Sequence, residues 1–240
     1  MLLLSGFWRS EVTWYTIVLI AHVSFGAIAL IAFWLTAILR KGNRTHRRVG
    51  TTYLLAMLAV MFSAVPLAGA AFAAGHTRNG VFLSYLIVIT GTPLWVARRA
   101  VRSRRSALEF ASGPYRSVGV INIVCASAVL GLGIATGTPL LDGLSVVGLF
   151  VGMRILRFSA SGSTSPQWWL KQHFLGMVGS GIASHIAFLN IGLPRLMPAR
   201  FSSGALYVAW FGPIVVASLA AWWLNRRYGR GADGARLAVQ

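Results

Sequence analysis

The chain is short of acid. Its 240 residues include four Asp and Glu against 22 Lys and Arg, and the four acids are Glu11, Glu109, Asp142 and Asp233. None falls in the middle of an apolar run. A carboxylate proton relay or a Na⁺ site needs buried Asp or Glu, so both are disfavoured. Intramembrane zinc hydrolysis is disfavoured for the same reason, because it needs clustered ligands and an acid or base. No Ser-His-Asp set is visible. Cysteine is scarcer still: Cys125 is the single one and lies in an apolar run. It has no partner for an intrachain disulfide and no second thiolate with which to share a metal.

What is abundant is apolar. Hydrophobic residues make up 56% of the sequence and charged ones 11%, with a mean hydropathy of +0.69. Apolar windows near the ~20 residues that a bilayer requires recur along the whole length. The fold expected is therefore all-α, a polytopic transmembrane bundle forming a single domain over residues 1–240. Seven spans can be drawn, at about 13–39, 49–74, 81–97, 118–136, 139–158, 172–193 and 204–224. The first holds an internal His and no small-residue cleavage site, so it reads as a retained helix. An alternative with six spans fuses the fourth and fifth across Thr138, Pro139 and Asp142.

Positive charge chooses between these maps. Eighteen of the 22 basic residues fall in "RKGNRTHRR", in the 98–116 loop, from the inner end of span five to the start of span six (Arg154, Arg157 and Lys171), and in the C-terminal tail. The other four are Arg9, Arg78, Arg195 and Arg200. The two sets alternate only with seven spans, N-terminus outside and C-terminus cytoplasmic. A net charge of +18 would point to nucleic acid in a soluble protein. Sorted between apolar runs, it points instead to anionic lipid headgroups at the cytoplasmic face of a membrane, with no nucleic-acid partner. The 98–116 loop reads as a short amphipathic helix or loop, "SASGSTSPQ" as a turn, and "RGADGARLAVQ" as a disordered tail.

Against this background the histidines stand out. His76 lies in the outer loop "AGHTRNG" and reads as solvated. His22 and His185 each lie about nine residues in from the outer ends of spans one and six, roughly 13 Å deep. His46 and His173 lie at the inner mouths of spans two and six. His173 and His185 are twelve residues apart, roughly 18 Å along a helix and about 120° around it. A lone intramembrane His can simply bond across a helix contact. Two pairs at matching depth, without carboxylates, are the ligand set of a low-spin b-type haem, with His22 and His185 on one iron and His46 and His173 on another. Arg47, Arg48 and Lys171 stand where they would take propionates. The first expectation is thus a haem b electron carrier or membrane redox subunit. The second is a small-solute permease or scaffold subunit, in which the histidines line a cavity or only pack. Whether the chain is an enzyme stays open.

Small residues recur beside these histidines. Gly176, Ser180 and Ser184 repeat every four residues, and Gly26 follows His22 by one turn, a pattern that lets helices touch. Arg47 and Arg48 are expected to anchor span two in headgroups, Gly50 to allow close helix contact, and Tyr53 to join an interfacial belt with Trp14, Tyr15, Trp95, Trp222, Trp223 and Tyr228.

The stretches "HVSFGAIAL" and "RKGNRTHRRVGTTYLLAML" resemble an uncharacterised bacterial family of membrane proteins, a domain-of-unknown-function family. Its pattern is an early His followed by HR-x-x-G-x-x-Y opening the next helix, matched here by His22, Gly26, His46, Arg47, Gly50 and Tyr53. "KQHFLGMVGSGIASHIAF" is similar to that family's H-x-x-x-M segment through His173 and Met177. The resemblance implies a bacterial inner-membrane protein and supplies no activity.

Overall fold

A computed structural model of the chain describes residues 2–162, 165–192 and 203–229, with side chains over 14–162, 165–190 and 207–226. Leu193, Arg195 and Arg200, the turn residues Ser163 and Thr164, and the tail from Arg230 lie outside the described residues, as do the side chains of Arg9, Glu11 and Tyr228. The described residues are helical throughout, without a strand. In chain order the helices are α1 (Leu2–Ile38), α2 (Arg44–Ala73), α3 (Thr77–Arg102), α4 (Ala107–Phe110), α5 (Gly113–Thr136), α6 (Pro139–Ser161), α7 (Trp168–Ala187) and α8 (Ser203–Gly229). A π-helical turn, Phe188–Gly192, prolongs α7.

Every expected span is a helix, and most run past their expected ends. Backbone hydrogen bonding carries a helix through charged residues that hydropathy reads as loop. Six of the helices are long and apolar enough to cross a membrane: Trp14–Ile38 within α1, then α2, α3, α5 and α6, and Tyr207–Arg226 within α8. Their outer surfaces are apolar. Ile20, Ile31, Phe62 and Val216 are each more than 60% exposed, a surface suited to lipid rather than water. α7 falls short of the same standard because Lys171, Gln172, His173 and His185 interrupt it. The fused fourth and fifth spans do not occur. α5 stops at Gly137, whose φ of 59° is left-handed, and the Thr138 N–H closes on the Gly133 carbonyl at 2.9 Å before Pro139 opens α6.

The chain divides into two compact units, Met1–Ile87 and Val88–Gln240. In the first, α1 and α2 form an antiparallel hairpin. Its turn is built by charge and capping. Lys41 Nζ donates to the Thr36 and Ala37 carbonyls at 2.7 and 2.6 Å, at the negative end of α1. Partial burial there holds the Lys41 ammonium below the usual lysine range. Gly42 takes φ 79°, and Asn43 Oδ1 accepts the His46 N–H at 2.7 Å to start α2. Along the hairpin His22 meets Ser63, and the Phe33 and Tyr53 rings lie 5.8 Å apart. A Cβ on Gly50 would make ordinary contact with Thr36 at 3.9 Å. Tyr53 is wholly buried in this seam. It is a packing residue rather than a member of an interfacial belt, because its ring faces Phe33. Gly50 is not forced to be glycine.

In the second unit α5 and α6 form a tight hairpin. A Cβ on Gly152 would fall 2.6 Å from Ile123 Cγ1 and 2.8 Å from the Gly119 carbonyl oxygen, so backbone meets backbone there. α7 approaches α3 the same way, with a Gly176 Cβ only 2.6 Å from the Pro93 oxygen and 2.8 Å from Ala97 Cβ. The small residues of α7 therefore serve helix contact, as expected. Asn122, wholly buried, donates to Thr92 Oγ1 at 2.6 Å and ties α5 to α3.

The core of this unit gathers Val96, Ala100, Phe110, Tyr115, Ile155 and Trp168. Phe110 sits in α4, the single turn that the 98–116 loop contains. Arg99 holds that turn, donating to the Phe110 and Glu109 carbonyls at 3.0 and 2.7 Å and to Ser112 Oγ at 2.7 Å. Trp95 belongs here too. It stacks on Tyr115 and lies under the Arg99 guanidinium, and it is half-buried. Trp14, Tyr15, Trp222 and Trp223 remain exposed, as a belt requires.

Candidate functional site: the four helix histidines

His22 and His46 lie in the first unit, His173 and His185 in the second. Within each unit the two rings are far apart. The α1–α2 register sets His46 level with about residue 40, which puts His22 about 27 Å away along the hairpin. His173 and His185 stand about 18 Å apart along α7.

Hydrogen bonds hold Nδ1 of three of the rings. His22 Nδ1 lies 3.0 Å from Ser63 Oγ. The Ser63 hydroxyl proton is directed at its own helix, toward the Ala59 and Val60 carbonyls at 2.8 and 2.9 Å. With its hydrogen turned that way, Ser63 Oγ is able to accept from His22 Nδ1. His173 Nδ1 faces the Ala97 carbonyl of α3 at 3.2 Å, and His185 Nδ1 faces the Gly181 carbonyl one turn back at 2.7 Å. A carbonyl can only accept, so both rings carry hydrogen on Nδ1. In the neutral imidazole His173 and His185 then have the lone pair on Nε2, and His22 does too when Ser63 accepts. A ligating histidine is oriented in the same way, its other nitrogen donating to a carbonyl or hydroxyl. All three rings are partly buried.

His46 differs. Its Nδ1 is buried with no hydrogen-bond partner. Nearby, Arg44, Arg47, Arg48, Thr51 and Thr52 line an open groove of about 500 Å³ over the first turns of α2. The two residues expected to meet propionates or headgroups, Arg47 and Arg48, are exposed in it, above the positive end of a helix. Lys171 is exposed in the first turn of α7. His76 is exposed, as expected.

No cluster of three or more His, Cys, Asp or Glu able to hold a metal exists among the described residues. A bis-histidine haem needs only two ligands. Cys125 is a free, half-buried thiol on α5. Sequence reasoning missed Ser63, the residue that fixes His22. The signal was present, since Ser63 is the one hydroxyl deep inside the apolar run of α2 and lies opposite His22 across a hairpin that turns near Lys41. It also missed Tyr115 and Arg154, which no local pattern connects. No protein-family model matches the chain, and neither a curated protein nor a solved structure shows significant similarity to it.

Proposed function

We propose that the chain is a b-type haem electron carrier, or the redox subunit of a larger assembly, in the inner membrane of a bacterium. The supporting observation is that Nδ1 of His22, His173 and His185 is each held by a hydroxyl or carbonyl oxygen, the contact that orients a ligating imidazole, in a protein almost without carboxylates. In this reading α7 is a seventh span, and the N-terminus lies outside with the C-terminus in the cytoplasm. The polar residues of α7 are accommodated because Gln172 and Ser180 are buried within the second unit rather than turned to lipid. The pairing of His22 with His185, and of His46 with His173, joins ligands from different units and is the proposal's own step. The outer pair has the stronger case, since both of its rings have a hydrogen-bonded Nδ1 and His46 Nδ1 has no partner. Arg47, Arg48 and Lys171 would take propionates at the inner pair, or anionic headgroups in its absence.

The test is the visible spectrum of the protein purified in mild detergent from cells with ample haem. A bis-imidazole haem b shows a sharp Soret band and resolved α and β bands on reduction. His185→Ala and His22→Ala should each abolish the outer haem. Ser63→Ala should leave it bound but shift its reduction potential, since it removes the hydroxyl that orients His22. Any second haem should respond to His173→Ala and His46→Ala instead. A colourless, folded protein would end the redox reading and leave a permease or scaffold. A spectrum that survives all four histidine substitutions would place the ligands elsewhere.

A further inference from the structure

Arg154 is a half-buried charge of the second unit. It lies on α6, seven residues before the helix ends at Ser161, which is about 10 Å along the axis. Its Nε is buried and has no hydrogen-bond partner. A cation in such a place normally has a carboxylate beside it, because an unpaired buried charge is costly. This chain has little to offer. Of its four acids, only Glu109 and Asp142 have described side chains. Glu109 accepts from Ser103 Oγ at 3.0 Å. Asp142 is twelve residues earlier on the same helix, about 18 Å away.

Beside Arg154 is a second group in the same condition. Tyr115, in the first turn of α5, is wholly buried, and its hydroxyl has no partner. Its ring packs against Phe158, with centroids 5.9 Å apart. Phe158 follows Arg154 by one turn of α6, about 40° around the helix. Val151, one turn the other way, packs on the same core cluster. Arg154 therefore stands on the stripe of α6 that faces Tyr115, and its charge acts on the phenol. The two unused groups are both donors: a guanidinium N–H and a phenolic O–H. Arg154 remains partly exposed, which leaves a way in from outside. The first turn of α5 adds the positive end of a helix.

We propose that Arg154 and Tyr115 form a receptor for a phosphate-type oxyanion, which supplies the counter-ion that the described residues do not. A phosphate accepts from a guanidinium fork and a hydroxyl at once, and charge-assisted bonds of this kind are the strong ones. The phosphate comes either from an anionic lipid headgroup, which a site about 10 Å inside the end of a spanning helix can reach, or from free phosphate. The site does not depend on the haem reading.

The test compares the full chain with three variants in detergent. Arg154→Gln and Tyr115→Phe each remove one donor. Arg157→Gln removes the same charge as Arg154→Gln, but from an exposed position on the same helix. Tyr115→Phe keeps the packed ring, so it carries the test if Arg154→Gln fails to fold. Native mass spectrometry with added phosphatidylglycerol should show bound lipid on the unaltered chain and on Arg157→Gln. Occupancy should fall about tenfold in Arg154→Gln and several-fold in Tyr115→Phe, the scale of a hydrogen bond to a charged group. Phosphatidylcholine should bind no variant differently. In the other arm, lipid-free protein is melted in inorganic phosphate against chloride at equal ionic strength. A rise in melting temperature that needs Arg154 and Tyr115, without lipid discrimination, assigns the site to free phosphate. Equal loss in Arg154→Gln and Arg157→Gln, or a Tyr115→Phe protein that matches the unaltered chain in both arms, overturns the proposal.

Discussion

Replacing Gly152 with alanine should force α5 and α6 apart. The added Cβ would stand 2.8 Å from the Gly119 carbonyl oxygen and 2.6 Å from Ile123 Cγ1. The isoleucine side chain can turn aside. The carbonyl belongs to a helix backbone and cannot. To restore an ordinary contact the helices must separate locally by about 0.6 Å, and a gap of that size forfeits roughly a quarter to a half of each dispersion contact that spans it. With about 20 to 30 atom pairs near the crossing, at ~0.15 kcal/mol each, the loss is about 1 to 2 kcal/mol. That lies within the ~1–3 kcal/mol range of overpacked cores. Alanine also gains up to about 1 kcal/mol of helix propensity over glycine, which would mask part of the effect. Gly131→Ala removes this ambiguity. It makes the same exchange on α5 at an exposed site where a Cβ meets nothing within 4 Å. Unfolding in detergent, followed by far-UV circular dichroism, should place Gly152→Ala about 1 to 3 kcal/mol below Gly131→Ala. Equal stabilities would refute the close backbone crossing, and with it the register that sets Arg154 beside Tyr115.

Two further outcomes are expected. Arg99→Gln removes three donated bonds to the Phe110, Glu109 and Ser112 oxygens and the cation over Trp95. It should cost about 1 to 3 kcal/mol and speed tryptic cutting at Arg104 and Arg105, and unchanged cutting would show that α4 is held by its ring packing alone. A reporter active only outside the cytoplasm should give signal when fused after Gly75, Gly137 or Pro198 and none after Asn43, Ser112 or the C-terminus. Signal at the C-terminus would overturn the seven-span orientation.

Helices were legible in the sequence because their signals are local. Asn43 before Arg44, Gly137 before Pro139, and runs of about 20 apolar residues each act within one or two turns. Pro66, Pro93 and Pro213 could have been mistaken for breaks, yet each lies inside a helix, as spanning helices tolerate. What hydropathy does not encode is which face of an apolar helix meets lipid and which meets protein. Tyr53 carries the residue type of an interfacial belt, and complete burial against Phe33 makes it a packing residue instead. α7 shows the converse. It is read from its glycines and apolar residues as one more lipid-embedded span, although among the described long helices it is the one without a stretch apolar enough to cross a membrane. Its polarity follows from burial, since Gln172, Gly176 and Ser180 face protein. Sites such as His22 with Ser63, and Arg154 with Tyr115, depend on the registers of two hairpins. A turn displaced by one residue would rotate each partner by about 100° and separate them. The residues that define the chemistry are visible one at a time in the sequence, and their conjunction is a property of how each hairpin turn is capped.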